Sequence, residues 1–119
     1  MLEEKIKDTI KQISKLVFIE NQNQIIEYLK QFPDLISVIP LAINATKQYF
    51  PKAKLILKLY QDPEIEDKYL ILCLRLEDYN TSTIEDIEKA EAKFLPRCKD
   101  KKGWLQLTTD FKSASEAKP

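Results

Sequence analysis

Lys54-Leu55-Ile56-Leu57-Lys58-Leu59-Tyr60 and, after Gln61–Asp67, Tyr69-Leu70-Ile71-Leu72-Cys73-Leu74-Arg75-Leu76 are the stretches on which the fold turns. In both, leucine recurs at every second residue. That is the period of a pleated strand, whose side chains alternate between two faces. Two such runs joined by a short segment containing Asp62-Pro63 read as a β-hairpin. The all-leucine faces must be the buried ones.

Upstream the period is 3.6. Leu2, Ile6, Ile10, Ile13, Leu16 and Val17 recur at spacings of three and four, which predicts one helix over residues 2–17. Glu3, Glu4 and Asp8 sit near its start and Lys11 and Lys15 near its end, as the helix dipole favours. A second helix is expected from the Asn21–Asn23 cap to about Gln31, burying Ile25, Ile26 and Leu29. A third, over residues 34–49, opens after Pro33 and turns Leu35, Ile36, Ile39, Ile43 and Phe50 inward. Pro40 should kink it or split it in two, and Pro51 stops it.

Downstream, residues 81–95 form a helix with Ile84, Ile87, Ala90, Phe94 and Leu95 on one stripe. Ser82 and Glu85 stand at capping-box spacing, and Pro96 ends the helix. Arg97–Gly103 reads as a loop, with Gly103 supplying the turn. A third strand follows at Trp104–Phe111, with Leu105, Leu107 and Phe111 alternating with Trp104, Gln106 and Thr108. Residues 112–119 are polar and read as a disordered tail. The expectation is an α+β fold forming one domain over residues 1–111. Three N-terminal helices precede a β-β-α-β unit, whose three-stranded antiparallel sheet has the order second-first-third. A third strand parallel to the second is the alternative.

A chain of 119 residues is long enough to bury a core without staples. Its 19 basic and 19 acidic residues cancel, so no long-range field steers it toward nucleic acid or anionic lipid. It has no histidine, which excludes imidazole bases, His-ligated metals and the common Ser-His and Cys-His pairs. One glycine excludes phosphate-cradling loops and dinucleotide fingerprints. Cys73 and Cys98 fit no CxxC spacing. Cys73 reads as a small hydrophobe within an apolar run. Cys98, between Arg97 and Lys99, reads as a loop thiol that its neighbouring cations could acidify. Met1–Lys5 carries acids where a signal peptide would carry bases, and no run reaches the roughly 18 apolar residues of a membrane span. A cytoplasmic protein is expected.

Four places remain where chemistry could sit. The Asp62–Asp67 turn holds four carboxylates that could meet a hard cation, yet it matches no calcium loop and reads as solvated. Arg97–Trp104 is a basic loop with an indole at its end. The non-leucine face of the hairpin carries Lys54, Lys58, Tyr60, Tyr69 and Arg75, with Trp104 beside them from the third strand. Aromatics among cations suit a docking surface or a platform for stacked bases, unless the first helix or a second copy covers them. The last is the first helix itself, whose Ile6, Ile10 and Ile13 could dock on a partner or pack within the chain.

Tyr49-Phe50-Pro51-Lys52-Ala53-Lys54-Leu55, followed by Asp62-Pro63-Glu64 and the Leu70/Leu72/Leu74 strand, resembles a group of small bacterial α+β proteins. In that group a helix ends in an aromatic-Pro pair and leads into a hairpin with an Asp-Pro-Glu turn. The likeness spans about residues 25–111. The group carries no assigned activity, so the resemblance implies an accessory or partner-binding role and no site residues.

Together these readings predict a small non-enzymatic interaction protein with no catalytic residue, cofactor or metal. It would bind a protein partner or itself, as a dimer, through the first helix or the mixed sheet face. Single-stranded nucleic acid on that face is the alternative, and no membrane association is expected.

Overall fold

Residues 2–61, 64, 68–98 and 103–113 are described by the structure, a computed structural model. Helix α1 (Leu2–Ile13) buries Ile6, Ile10 and Ile13, with Glu3 and Glu4 in its first turn and Lys11 in its last. It ends four residues before the apolar stripe does. The Ser14 hydroxyl turns back onto the Lys11 carbonyl at 2.8 Å, a local bond that competes with continuing the helix. After a turn the chain enters a two-residue strand, β1 (Phe18–Ile19). Helix α2 (Gln22–Gln31) then buries Ile25, Tyr28 and Leu29. Its N-cap, Asn21, has a left-handed backbone with φ 53° and makes no side-chain cap, a conformation that asparagine tolerates better than most residues.

The expected third helix is split. A 3-10 turn (Pro33–Ile36) is followed, after Ser37, by α3 (Val38–Tyr49). Pro40 is the third residue of α3, within the first turn, where backbone N–H groups have no intrahelical partner. A helix starting much earlier would have needed an N–H donor at residue 40, which proline lacks. Next come β2 (Lys54–Gln61) and β3 (Lys68–Leu76), an antiparallel pair with Ile56 opposite Cys73 and Leu57 opposite Leu72. Helices α4 (Thr83–Ala92) and α5 (Leu95–Cys98) lead to β4 (Leu105–Ser113). At the start of α4 the Ser82–Glu85 box does not form, since Ser82 makes no side-chain cap bond. Asn80 serves instead: its Oδ1 accepts from the Ser82 N–H at 2.9 Å and from the Ser82 hydroxyl at 2.6 Å. Lys112 and Ser113 belong to β4. Residues 114–119, the rest of the expected tail, lie outside the described residues.

The sheet overturns the expected three-stranded antiparallel arrangement. Among the described residues it has four strands in the order β1-β2-β3-β4, of which only β2 and β3 run antiparallel; β1 is parallel to β2, and β4 to β3. The reason lies at the edge of β2. Phe18 pairs with Ile56 and Ile19 with Leu57, and the Glu20 N–H donates to the Leu57 carbonyl at 2.9 Å. The edge foreseen for the last strand is thus taken by β1. The edge of β3 remains, and the crossover through α4 and α5 delivers β4 to it in parallel, with Leu105 beside Leu70 and Leu107 beside Leu72.

Leu55, Leu57, Leu70, Leu72, Leu74, Leu105 and Leu107 form one core with the buried residues of all five helices. The molecule therefore has two layers. Helices cover the leucine face of the sheet, and among the described residues no helix covers the other. Gly103 closes the helical side: a Cβ there would lie 2.7 Å from Leu35 Cδ1 and 2.8 Å from Phe32 Cβ. Its φ is not left-handed, so glycine serves close approach here rather than the turn expected of it.

Candidate functional site

Alternation along the strands determines what the bare face presents. From β2 come Lys54, Ile56, Lys58 and Tyr60; from β3, Tyr69, Ile71, Cys73 and Arg75; from β4, Gln106, Thr108 and Asp110. Phe18 joins them from β1, beside Ile56. Tyr60 stands directly opposite Tyr69, with ring centroids 4.9 Å apart. Trp104 lies one residue before β4, on the Gln106 side of the strand, and is 40% exposed. Ile56 and Cys73 are buried, yet they stand apart from the main core.

The face is not purely basic and aromatic. Asp110, at the far end of β4, meets Arg75 through Nη2 at 2.8 Å and through Nε at 3.2 and 3.3 Å. Burial would push the Asp110 carboxyl up, but hydrogen bonds from Arg75 and the Lys112 N–H, with their charges, outweigh it and hold the group below its usual range. Arg75, foreseen as a binding cation, is therefore engaged within the face. Lys54 and Lys58 form no ion pair with a described residue. Burial raises the Cys73 thiol above its ordinary value, which makes it a poor nucleophile at neutral pH.

The structure thus gathers Lys54, Lys58, Tyr60, Tyr69, Arg75 and Trp104 on one surface. Ile6, Ile10 and Ile13 are not part of it: they lie on the opposite side of the sheet, exposed by 0%, 4% and 3%. The sequence reading missed Phe18 and Asp110. No periodicity can reveal a two-residue strand, whereas Asp110 was within reach of the alternation Gln106, Thr108, Asp110.

Elsewhere the candidate chemistry thins out. Cys98 is buried at the end of α5 rather than held in a loop. Of the Asp62–Asp67 turn only Glu64 is described, and it is exposed; residues 99–102 of the basic loop also lie outside the described residues. Among the described residues no three acids or cysteines gather as a metal site would require, and no helix is long and apolar enough to cross a membrane. Comparison with known families, curated proteins and solved structures finds no match to this chain. The resemblance at the helix–hairpin junction gains no support from it, and the site rests on its own geometry.

Proposed function

We propose that this chain is a non-enzymatic interaction protein that binds a protein partner, or a second copy of itself, through the open face of its sheet. One observation carries the reading. Phe18, Tyr60, Tyr69, Ile71 and Trp104 share a surface that no described helix covers, while every described helix packs on the leucine side. Protein interfaces draw most of their energy from aromatic anchors near the centre, ringed by longer polar chains. Lys54, Lys58 and Gln106 supply such a ring. Helix α1 supports no docking role, because its isoleucines are already part of the core.

The test compares the protein with its Ile71→Asp variant, which places a charge mid-face without touching the core. The native protein should be dimeric by light scattering, or should retain one near-stoichiometric protein from its source cells after nuclease treatment. The variant should lose both and keep its thermal unfolding midpoint. A native protein that is monomeric and captures nothing overturns the proposal, as does binding that Ile71→Asp leaves unchanged.

Single-stranded nucleic acid is a second reading, favoured by the Tyr60–Tyr69 pair and Trp104 at one end of the face and by the unpaired Lys58 beside them. Zero net charge and the Arg75–Asp110 pairing rank it below protein. Trp104 is the only tryptophan, so its fluorescence reports on this corner directly. Quenching by an oligonucleotide at low salt, reversed at high salt, would promote this reading, and unchanged fluorescence removes it.

A further inference from the structure

We infer a second binding site beside the open face and sharing Phe18 and Lys54 with it: a groove for a small ligand carrying two or more phosphate groups, at the corner where α1 ends and β2 begins. The groove holds about 830 Å³ between the turn after α1, strand β1 and residues 51–55, a size suited to a small molecule. Lys15, Lys47, Lys52 and Lys54 stand around it, and no aspartate or glutamate lines it. In a chain with equal numbers of acids and bases, this is local segregation of charge rather than a general excess.

The ordinary role of lysine near a helix end is to complement the negative C-terminal dipole, an effect confined to the last turn. That accounts for Lys47, which lies in the last turn of α3 and donates to the Ala53 carbonyl at 3.3 Å. It does not account for Lys15, beyond the end of α1, or for Lys52 and Lys54, beyond Pro51. The ammonium groups of these three make no ion pair or hydrogen bond with a described residue. Elsewhere Lys7, Lys30 and Lys89 each have an acidic neighbour within 4 Å, while Lys5, Lys11 and Lys58 have none among the described residues; what sets the groove apart is that its lysines share one concavity.

Like charges around one concavity repel one another, and a polyanion placed among them converts that repulsion into attraction. Phosphate oxygens accept charge-assisted hydrogen bonds from ammonium groups. Lysine acts as a point charge rather than a planar fork, so the groove selects for charge density more than for shape. Leu16, 48% exposed, and Phe18 form an apolar floor beside the cations, where an organic body could rest. With exposed lysines as its main recognition elements, binding should weaken steeply with salt.

The experiment is an amide NMR titration of the full chain at low salt, with inorganic tripolyphosphate and separately with ATP. The expected result is saturable shifts clustered at residues 14–18 and 51–55. Affinity should fall at least tenfold in Lys15→Gln/Lys52→Gln and hold in the distant Lys7→Gln/Lys89→Gln. Larger shifts at Leu16 and Phe18 with ATP than with tripolyphosphate assign the floor to a nucleoside; identical patterns confine recognition to the phosphates. Shifts that do not saturate, that scatter over all lysine-bearing elements, or that survive Lys15→Gln/Lys52→Gln overturn the inference. Lys15 and Lys52 lie off the open face and Ile71 lies outside the groove, so loss of binding in Lys15→Gln/Lys52→Gln with retention in Ile71→Asp separates the groove from whatever that face binds.

Discussion

Gly103 is the only glycine in the chain, and it sits against Phe32 and Leu35 with no room for a methyl group. Gly103→Ala should lower stability by about 1–3 kcal/mol, the usual range for forcing an extra carbon into a packed site. Urea denaturation should show a lower midpoint and an unchanged slope. Tyr28 makes a comparable point about single residues. Its hydroxyl donates to the Lys68 carbonyl at 3.2 Å and accepts from the Trp104 N–H at 3.1 Å, tying α2 to the starts of β3 and β4. The spacing of Ile25, Ile26 and Leu29 foretold the inward face of α2 but not Tyr28. Its partners lie 40 and 76 residues away, beyond the reach of any local pattern.

Among the elements, β4 is held by side chains from outside the strand. The Tyr79 hydroxyl donates to the Lys112 carbonyl at 2.6 Å and accepts from the Leu76 N–H and the Thr109 hydroxyl. These bonds surround an irregularity in which Phe111 takes φ 60°, an unfavourable backbone for a bulky residue. The Glu91 carboxylate accepts from the Leu107 N–H at 3.3 Å and so occupies part of the β4 backbone. Two carboxyls on this strand and its neighbour shift in opposite directions. Burial raises Glu91, so the cost of its charge is relieved as pH falls through that raised value. Asp110 is lowered despite its burial, chiefly by Arg75. Its stabilisation is complete above an unfolded value of about 3.9 and disappears as pH falls through the lower folded one. Asp110→Asn should therefore cost about 1 kcal/mol near neutral pH, and the gap from the native protein should close as the solution is acidified. Urea midpoints measured from pH 7 down to about 2.5 check the sign; a gap that widens in acid contradicts the pairing. Alternation over eight residues made the hairpin legible. The pairing of β4 was not, because it depended on β1, and two residues show no period.

For the whole molecule, the decisive fact is the side of the sheet that α1 takes. An apolar stripe says that a helix needs a partner without saying which one. Here only a short turn separates α1 from β1, and α1 joins the helical layer, where Glu3 reaches Lys30 of α2 at 3.5 Å. Ile6→Ala and Ile10→Ala should each cost about 2–5 kcal/mol, a large share of a stability that for such domains is about 5–15 kcal/mol. Thermal unfolding followed by circular dichroism should show the loss, and whatever binds the open face should still bind the fraction that stays folded. The mixed sheet has one more consequence. Phe18 to Gln61 forms one strand–helix–strand crossover and Lys68 to Ser113 another, and the antiparallel β2–β3 ladder is the seam between them. Ile56 and Cys73 face each other across that seam. A partner seated over this pair would straddle both halves of the chain, acting as a brace across the joint where the two crossovers meet.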